Sequence, residues 1–177
     1  MPAVCVYLSS SDGTPAYVAA IRELAAELVR RDLALVYGGA RRGLMGVLAD
    51  RVLEAGGRAV GVIPRALVDL EIAHDRLTEL HVVDTMHQRK QQMFERADGF
   101  VVGPGGFGTL EEAFEHLTGI QIGYHQKPMV FLDPDEFWRP MAAFLDHAAA
   151  SGVLRADTRA LFRTAPTAAT ALDALAL

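Results

Sequence analysis

The sequence has one cysteine, few lysines and no excess of positive charge. Cys5 stands in the apolar residues 4–8, so no disulfide framework is possible within one chain, and the thiol is expected in a buried strand. The formal net charge of −5 disfavours a nucleic-acid-binding protein with a basic face. No apolar run reaches membrane-spanning length, and Met1-Pro2 leads directly into a predicted strand without a signal peptide. We therefore predict a cytoplasmic protein with no membrane or nucleic-acid partner.

The chain has 177 residues, 51% of them hydrophobic, which suits one domain over residues 1–177. Apolar segments alternate with segments of helical spacing throughout. This predicts an α/β fold: a Rossmann-like, doubly wound parallel sheet of about six to seven strands in a three-layer α/β/α arrangement. The predicted strands are residues 4–8, 33–37, 58–63, 80–83, 99–102, 128–132 and, at an edge, 162–164. The predicted helices include residues 15–31, 44–55, 110–122, 135–150 and 167–175, and residues 65–78 are expected to form a lid or side loop.

Residues 101–112 (VVGPGGFGTLEE) predict a ligand site, because they combine a strand, a glycine-rich turn and a helix start. The glycines let a ligand approach the backbone closely. The helix start offers unpaired amides and the positive end of its dipole, which together predict a phosphate seat. Glu111 and Glu112 place negative charge behind that seat. Because an anion-binding site would not gain from them, we predict that at least one acts chemically.

The same residues also allow a purely structural interpretation. Thr109 and Glu112 fit a capping box, with Thr109 as the N-cap and Glu112 reaching back to its amide. Acidic residues are common in a first helical turn because the dipole favours them. The local pattern leaves capping and function open, and the PGG turn ahead of it favours function.

Two further turns follow predicted strands. Residues 38–46 (GGARRGLMG) resemble a dinucleotide-binding turn only loosely, because they follow the second strand and no acidic residue ends a strand about 20 residues later. We therefore predict no nicotinamide cofactor. Arg41 and Arg42 are interpreted as exposed turn residues or phosphate partners, and the serines of residues 9–13 as turn-stabilising or ligand-binding. All these turns are expected at the carboxyl edge of the sheet, where ligands bind.

Residues 84–90 (DTMHQRK) begin a helix with cations in its first turn. Asp84 or Thr85 is the predicted N-cap. Arg89 and Lys90 oppose the helix dipole, which favours a nearby anion. His87 is interpreted as a surface or interface histidine rather than a general base. No second histidine or carboxylate stands at metal-ligand spacing here, so no metal site is predicted.

Three segments together resemble one known family. Residues 38–46, 86–90 (MHQRK) and 104–112 (PGGFGTLEE) are similar to the signatures of the LONELY GUY family of cytokinin riboside 5′-monophosphate phosphoribohydrolases, long labelled lysine decarboxylases. The resemblance runs from about residue 4 to residue 159. It implies a Rossmann-like homodimer with the site near its interface. It also implies hydrolysis of the N-glycosidic bond of an adenosine-type 5′-monophosphate, without a cofactor, to free base and ribose 5-phosphate.

The resemblance also implies the site residues. Arg89 and Glu112 match the family's catalytic pair. The positions that match its nucleotide-binding residues are Glu71, Met86, Lys90, Gly105, Gly106, Phe107, Gly108, Thr109, Leu110, Glu111 and Thr118. A carboxylate at Glu112 would stabilise positive charge on the sugar or orient water. Arg89 would hold phosphate or ribose hydroxyls and keep that carboxylate ionised, while Glu111 binds or caps.

The sequence departs from the family pattern at four positions. Ala40 replaces a third glycine, Arg41 replaces a small polar residue, and Gly119 stands where a tryptophan is common. The first turn has Ser9 near the position of a usual glycine. None of these touches the catalytic pair, but they leave the preferred base open between a cytokinin and adenine, as in a plain AMP nucleosidase.

Three other functions stay open at this point. A non-catalytic nucleotide-binding or carrier protein would use the same fold. A nicotinamide-dependent oxidoreductase would bind its cofactor at residues 38–46. A pyridoxal-dependent decarboxylase would need a Schiff-base lysine, and the chain offers only Lys90 and Lys127.

Overall fold

Seven parallel strands form one sheet in the computed structural model, which describes residues 1–70 and 72–177. The strand order is β4-β3-β2-β1-β5-β6-β7. The strands are β1 (Ala3–Tyr7), β2 (Ala34–Tyr37), β3 (Ala59–Pro64), β4 (Glu79–Val83), β5 (Gly99–Val102), β6 (Met129–Leu132) and β7 (Thr164–Ala165). The predicted doubly wound parallel sheet is confirmed, and its short edge strand begins at Thr164, two residues later than predicted.

Helices cover both faces of the sheet. They are α1 (Pro15–Arg30), α2 (Gly43–Glu54), α3 (Arg65–Asp69), α4 (Met86–Glu95), α5 (Phe107–Gln121), α6 (Arg139–Ala150), α7 (Ala156–Arg159) and α8 (Ala168–Asp173). Buried side chains of α1, α2 and α8 form one core, and those of α4, α5 and α6 form the other. Because side chains alternate along a strand, Val4 and Val6 of β1 enter the first core while Cys5 and Tyr7 enter the second. Tyr7 is thereby placed on the α4 and α5 side.

The sheet reverses its order between β1 and β5, and this is where a ligand is expected. The turns predicted to meet there do so. The Ser9 amide donates to the Pro104 carbonyl at 3.0 Å. The amides of Leu44 and Met45 at the start of α2 donate to the carbonyls of Ser11 and Ser9. Since these two amides are already bonded, the turn of residues 38–46 offers a poor anion seat, which argues against a dinucleotide.

Two local predictions are wrong. α5 begins at Phe107 with Gly106 as its N-cap and no side-chain cap, so Thr109 does not cap the helix and the capping-box interpretation fails. The glycine turn runs directly into the helix, and the buried Thr109 packs against Gly105 instead. The helix predicted for residues 135–150 is interrupted, because Asp135 has a φ of 55° within the short 3-10 helix Pro134–Glu136.

Other local features agree with the sequence or refine it. Thr85 caps α4 in a capping box with Gln88, which confirms one of the two predicted N-caps. Within the segment 65–78, predicted as a lid or side loop, α3 is helical and Ala73 forms an antiparallel bridge with Ala40. Glu71 lies outside the described residues. Among the helices of residues 1–70 and 72–177, none has the length and apolar character to cross a bilayer.

Candidate active site

Arg89 extends from the first turn of α4 to the carboxyl ends of β2 and β3. It is only 9% exposed. Its Nε donates to the Val62 carbonyl at 3.2 Å, and its Nη2 donates to the Gly38 carbonyl at 3.3 Å. A buried cation needs such partners because its removal from water is unfavourable. Two of the three guanidinium nitrogens are thus held by the backbone, and Nη1 is left to face the cleft and Glu112.

Glu112 lies on the buried side of α5 and is 8% exposed. Its Oε1 is 3.4 Å from Nη1 of Arg89, an ion-pair distance. Burial raises the pKa of Glu112 to about 7, although the charge of Arg89 opposes this. The expectation that Arg89 keeps this carboxylate ionised is therefore wrong, because the effect of burial on the pKa exceeds the effect of the arginine's charge. A carboxyl group poised near neutrality is suited to exchange a proton with a substrate or with water.

The start of α5 leaves backbone amides free about one helical turn before Glu112. Leu110 donates its amide to the Gly106 carbonyl at 2.9 Å. Within the described residues, the amides of Phe107, Gly108 and Thr109 have no acceptor. They carry the positive end of the α5 dipole, so they have the free donors that the predicted phosphate seat requires. Glu112 follows Thr109 by three residues, about one helical turn.

Lys90 does not reach toward this seat. Its Nζ forms ion pairs with Glu111 and, at 2.5 Å, with Glu115, both on α5. Burial lowers the pKa of Lys90, but the two carboxylates outweigh that effect and the net shift is upward. Lys90 therefore ties α4 to α5 as a cation, and Glu111 is its partner rather than a helix cap.

A cavity of about 280 Å³ opens between α4 and α5, beside Glu112. Its walls are mostly apolar and aromatic, with a few ionisable groups, as is usual for a small-molecule site. The lining residues are Tyr7, His87, Lys90, Gln91, Phe94, Glu112, Glu115, His116, Gly119, Tyr124 and His125. The structure thus brings Glu112, one member of the predicted pair, to a pocket that is large enough to hold a base or part of one.

Two histidines in this wall, the buried His116 and the half-buried His125, were missed by sequence reasoning. His116 Nε2 donates to the Lys127 carbonyl at 3.0 Å, which leaves Nδ1 as a buried acceptor without a partner among the described residues. Burial lowers the pKa of His116 to about 4 and also lowers that of His125. The ring of His125 lies over Gly119, where a Cβ would be 2.5 Å from its Nε2. The spacing of His116 and Gly119 from Glu112, four and seven residues, was the available signal.

The remaining predicted residues are scattered around the site. Met86 contacts the guanidinium, with its Sδ 3.9 Å from Arg89 Nη1. Phe107 is 94% exposed at the start of α5. Leu110 is half-buried behind the free amides. Thr118 is exposed and donates its hydroxyl to the Phe114 carbonyl, outside the cavity lining, so its assignment as a binding residue stays a prediction.

Both lysines are engaged in structural contacts. Lys127 donates to the carbonyls of Phe94 and Ala97, each at 2.7 Å, at the end of α4. Lys90 is held by its two carboxylates. Neither is a free amine in the cavity, which argues against a Schiff-base decarboxylase. Across residues 1–70 and 72–177, no three His, Cys, Asp or Glu side chains cluster as metal ligands would.

Comparison with known sequences identifies close relatives. A family model described as possible lysine decarboxylase matches residues 45–175. The probable cytokinin riboside 5′-monophosphate phosphoribohydrolase LOGL1 of Oryza sativa is 42% identical, over 93% of this chain and 74% of that protein. The corresponding enzyme of Rhodococcoides fascians is 51% identical, over 75% and 67%. LOG5 of Arabidopsis thaliana is 43% identical, over 93% and 73%.

Solved structures share the fold at lower identity. The molybdenum cofactor binding protein from Rippkaea orientalis superposes with a TM-score of 0.72 at 18% identity, covering 97% of this chain and 93% of that one. The molybdenum cofactor carrier protein from Chlamydomonas reinhardtii has a TM-score of 0.69 at 20% identity, covering 99% and 96%. At such identities the likeness shows the architecture alone.

Proposed function

Since this chain belongs to the LONELY GUY family, whose model keeps the older description of possible lysine decarboxylase, we propose that it is a nucleotide N-glycosidase. Its substrates are cytokinin riboside 5′-monophosphates or AMP, and its products are the free base and ribose 5-phosphate. The observation that carries this proposal is the buried pair of Arg89 and Glu112, 3.4 Å apart, with Glu112 about one helical turn after the unpaired amides of α5.

Substrate binding begins at the phosphate. The amides of Phe107, Gly108 and Thr109 donate to its oxygens, and this anchor fixes the sugar one helical turn further along α5, beside Glu112. The base then extends into the cavity between α4 and α5. Binding energy from the phosphate is thereby used to orient the bond that breaks.

The reaction develops positive charge on the ribose as the bond between C1′ and the base breaks. The Glu112 carboxylate stabilises that charge and accepts a proton from the attacking water. Arg89 holds the carboxylate in place, because its other nitrogens are fixed on the carbonyls of Gly38 and Val62. The pair thus acts as a positioned base and an electrostatic partner for the sugar.

We also propose a cytoplasmic homodimer with the site near its interface. Family resemblance supports this assembly. Around the site, Met86, Phe107 and Tyr124 expose large apolar surfaces that a second copy would cover. Thr118 lies outside the cavity lining of its own protomer. It would therefore contact a nucleotide only if that nucleotide were bound to the other copy across the interface. Sedimentation analysis tests the assembly, and a strictly monomeric active protein would contradict it.

The proposed activity is tested by incubating the purified protein with AMP and with isopentenyladenosine monophosphate. Chromatography is expected to show adenine or isopentenyladenine appearing with equimolar ribose 5-phosphate. A non-catalytic carrier would bind the nucleotides without releasing either product. Absence of products from both substrates would contradict the proposal, and the ratio of the two rates gives the preferred base. The alternative of a decarboxylase is tested by an absorbance scan of the purified protein, which is expected to show no band from bound pyridoxal phosphate.

A further inference from the structure

Cleavage of a ribosyl–base bond needs an acid as well as a base. The electron pair of the broken bond stays on the departing purine, which is a poor leaving group unless one of its ring nitrogens receives a proton. The acid must therefore reach the pocket of the base and must exchange a proton near neutral pH. This requirement rests on the proposed function.

Most ionisable groups of the cavity are unsuited to this step. Glu112 is paired with Arg89 beside the sugar. Lys90 and Glu115 are paired with each other. Burial raises the pKa of Tyr7 well above its ordinary value, so its hydroxyl holds its proton too tightly. Each of these four groups is already committed or poorly matched to the task.

His116 and His125 are also unsuited. Burial lowers the pKa of His116 to about 4 and lowers the pKa of His125, so both are neutral at physiological pH. The ring N–H of His116 is, in addition, occupied by the Lys127 carbonyl. An imidazole in such a position cannot supply a proton to a substrate at pH 7.

His87 differs from all of these. It is exposed at the mouth of the cavity, and within residues 1–70 and 72–177 its ring has no hydrogen bond or ion pair. It lies on the same face of α4 as Lys90, Gln91 and Phe94, at spacings of three, four and seven residues, and all four line the cavity. A free imidazole here faces the pocket from the opposite helix to Glu112.

We infer that His87 is the general acid that protonates the departing base. As the bond between C1′ and the base nitrogen breaks, the imidazolium gives its proton to another ring nitrogen of the purine, and the electron pair remains on the base. Water adds its oxygen to C1′ and gives a proton to the Glu112 carboxylate. The products are a neutral base and ribose 5-phosphate. Solvent then returns the proton from Glu112 to His87.

The prediction is tested with His87→Ala and His87→Gln on AMP. We expect kcat to fall about 100-fold or more, because general acid catalysis contributes on that scale, while KM changes less than about threefold. In the wild type, kcat falls at high pH as the acid is deprotonated. In His87→Gln this alkaline limb disappears and the fall at low pH, from Glu112, remains. Added imidazole is expected to restore turnover in His87→Ala.

Other titratable groups around His87 also contribute to the pH dependence of kcat. These are Lys90 on α4, Glu112, Glu115 and His116 on α5, Tyr124 and His125 after α5, and Tyr7 on β1. The matched control is His147→Ala, which removes an exposed histidine of α6.

Each outcome decides the inference. A kcat for His87→Ala within about threefold of the wild type overturns it. So does a loss of kcat in which the alkaline limb stays and imidazole does not restore turnover, because His87 would then serve only the structure. If the wild type releases no base from AMP, the variants are compared on isopentenyladenosine monophosphate, and if it releases none from either substrate, it is the proposed function that fails.

Discussion

The guanidinium of Arg89 occupies the space that a side chain at position 38 would need. A Cβ placed on Gly38 would lie 1.7 Å from Nη2 of Arg89. The glycine lets the guanidinium approach the carbonyl of the same residue, which accepts its hydrogen bond at 3.3 Å. The turn after β2, which resembles a dinucleotide-binding turn only loosely, thus serves to place the arginine that faces Glu112.

Gly38→Ala is expected to displace Arg89 and to lower kcat on AMP by about 100-fold, since a shift of about 1 Å in a catalytic group has effects of this size. Steady-state kinetics measures the loss, and thermal unfolding checks that the variant is folded. The control is the same substitution in an Arg89→Ala background, where it should add little because both changes act on one group. Fully additive losses would contradict this account.

Substitutions of the glycines at the start of α5 distinguish a role in packing from a role in phosphate binding. A Cβ at Gly106 or Gly108 would meet nothing within 4 Å, whereas a Cβ at Gly105 would lie 2.0 Å from Thr109 Oγ1. Gly108→Ala should leave the free energy of unfolding unchanged or raise it by up to about 1 kcal/mol, as expected for alanine in a helix. Its KM for AMP should rise about tenfold or more, because the methyl group obstructs the phosphate.

Gly105→Ala is the structural counterpart and should lower stability by its clash with Thr109. Denaturant unfolding and KM measured side by side distinguish the two positions. An unchanged KM in both Gly106→Ala and Gly108→Ala would mean that the phosphate does not bind at these amides.

The raised pKa of Glu112 predicts a pH-dependent stability. The folded protein keeps this proton up to about pH 7, whereas the ordinary value is 4.5. Between these values the folded state binds more protons than the unfolded state, so stability falls as pH rises through the window. Relative to the wild type, Glu112→Gln should gain up to about 3 kcal/mol between pH 4 and pH 8. Urea unfolding at both pH values measures the gain, and a constant difference would refute it.

His116 predicts the opposite dependence at lower pH. Its folded pKa is about 4 and its ordinary value is 6.5, so the unfolded state binds the extra proton between these values and stability falls as pH drops through them. His116→Gln keeps a donor for the Lys127 carbonyl and should remove up to about 3 kcal/mol of this acid sensitivity. Unfolding curves at pH 4.5 and 7 test this. Equal acid sensitivity in the variant would show that His116 is not the titrating group.

Sequence reasoning predicted the sheet for physical reasons, whereas the pair of Arg89 and Glu112 was named from the family resemblance. Strands buried on both faces read as apolar runs, and their alternation with helices leaves few topologies. The unfavourable cations in the first turn of α4 indicated only that an anion lies near Arg89 or Lys90, and the structure places Glu112 3.4 Å from Arg89. Negative charge behind the predicted phosphate seat indicated that at least one of Glu111 and Glu112 acts chemically, without choosing between them.

The cavity could not be predicted in the same way. Phe94, His116 and His125 meet only because α4 and α5 pack side by side with Gly119 admitting the ring of His125. Interhelical distances of this kind are not encoded in local spacing. The capping box at Thr109 failed for a related reason: backbone geometry at Gly106 starts α5 two residues before that threonine.

The most direct test of the account compares Glu112→Gln with the wild type and with Glu54→Gln, an exposed control on α2. Release of base and ribose 5-phosphate from AMP is followed by chromatography, and AMP binding by calorimetry. We expect Glu112→Gln to bind AMP with little change and to lose turnover by about 1000-fold or more, while Glu54→Gln matches the wild type. Wild-type turnover in Glu112→Gln would contradict the central claim that this carboxylate acts on the sugar.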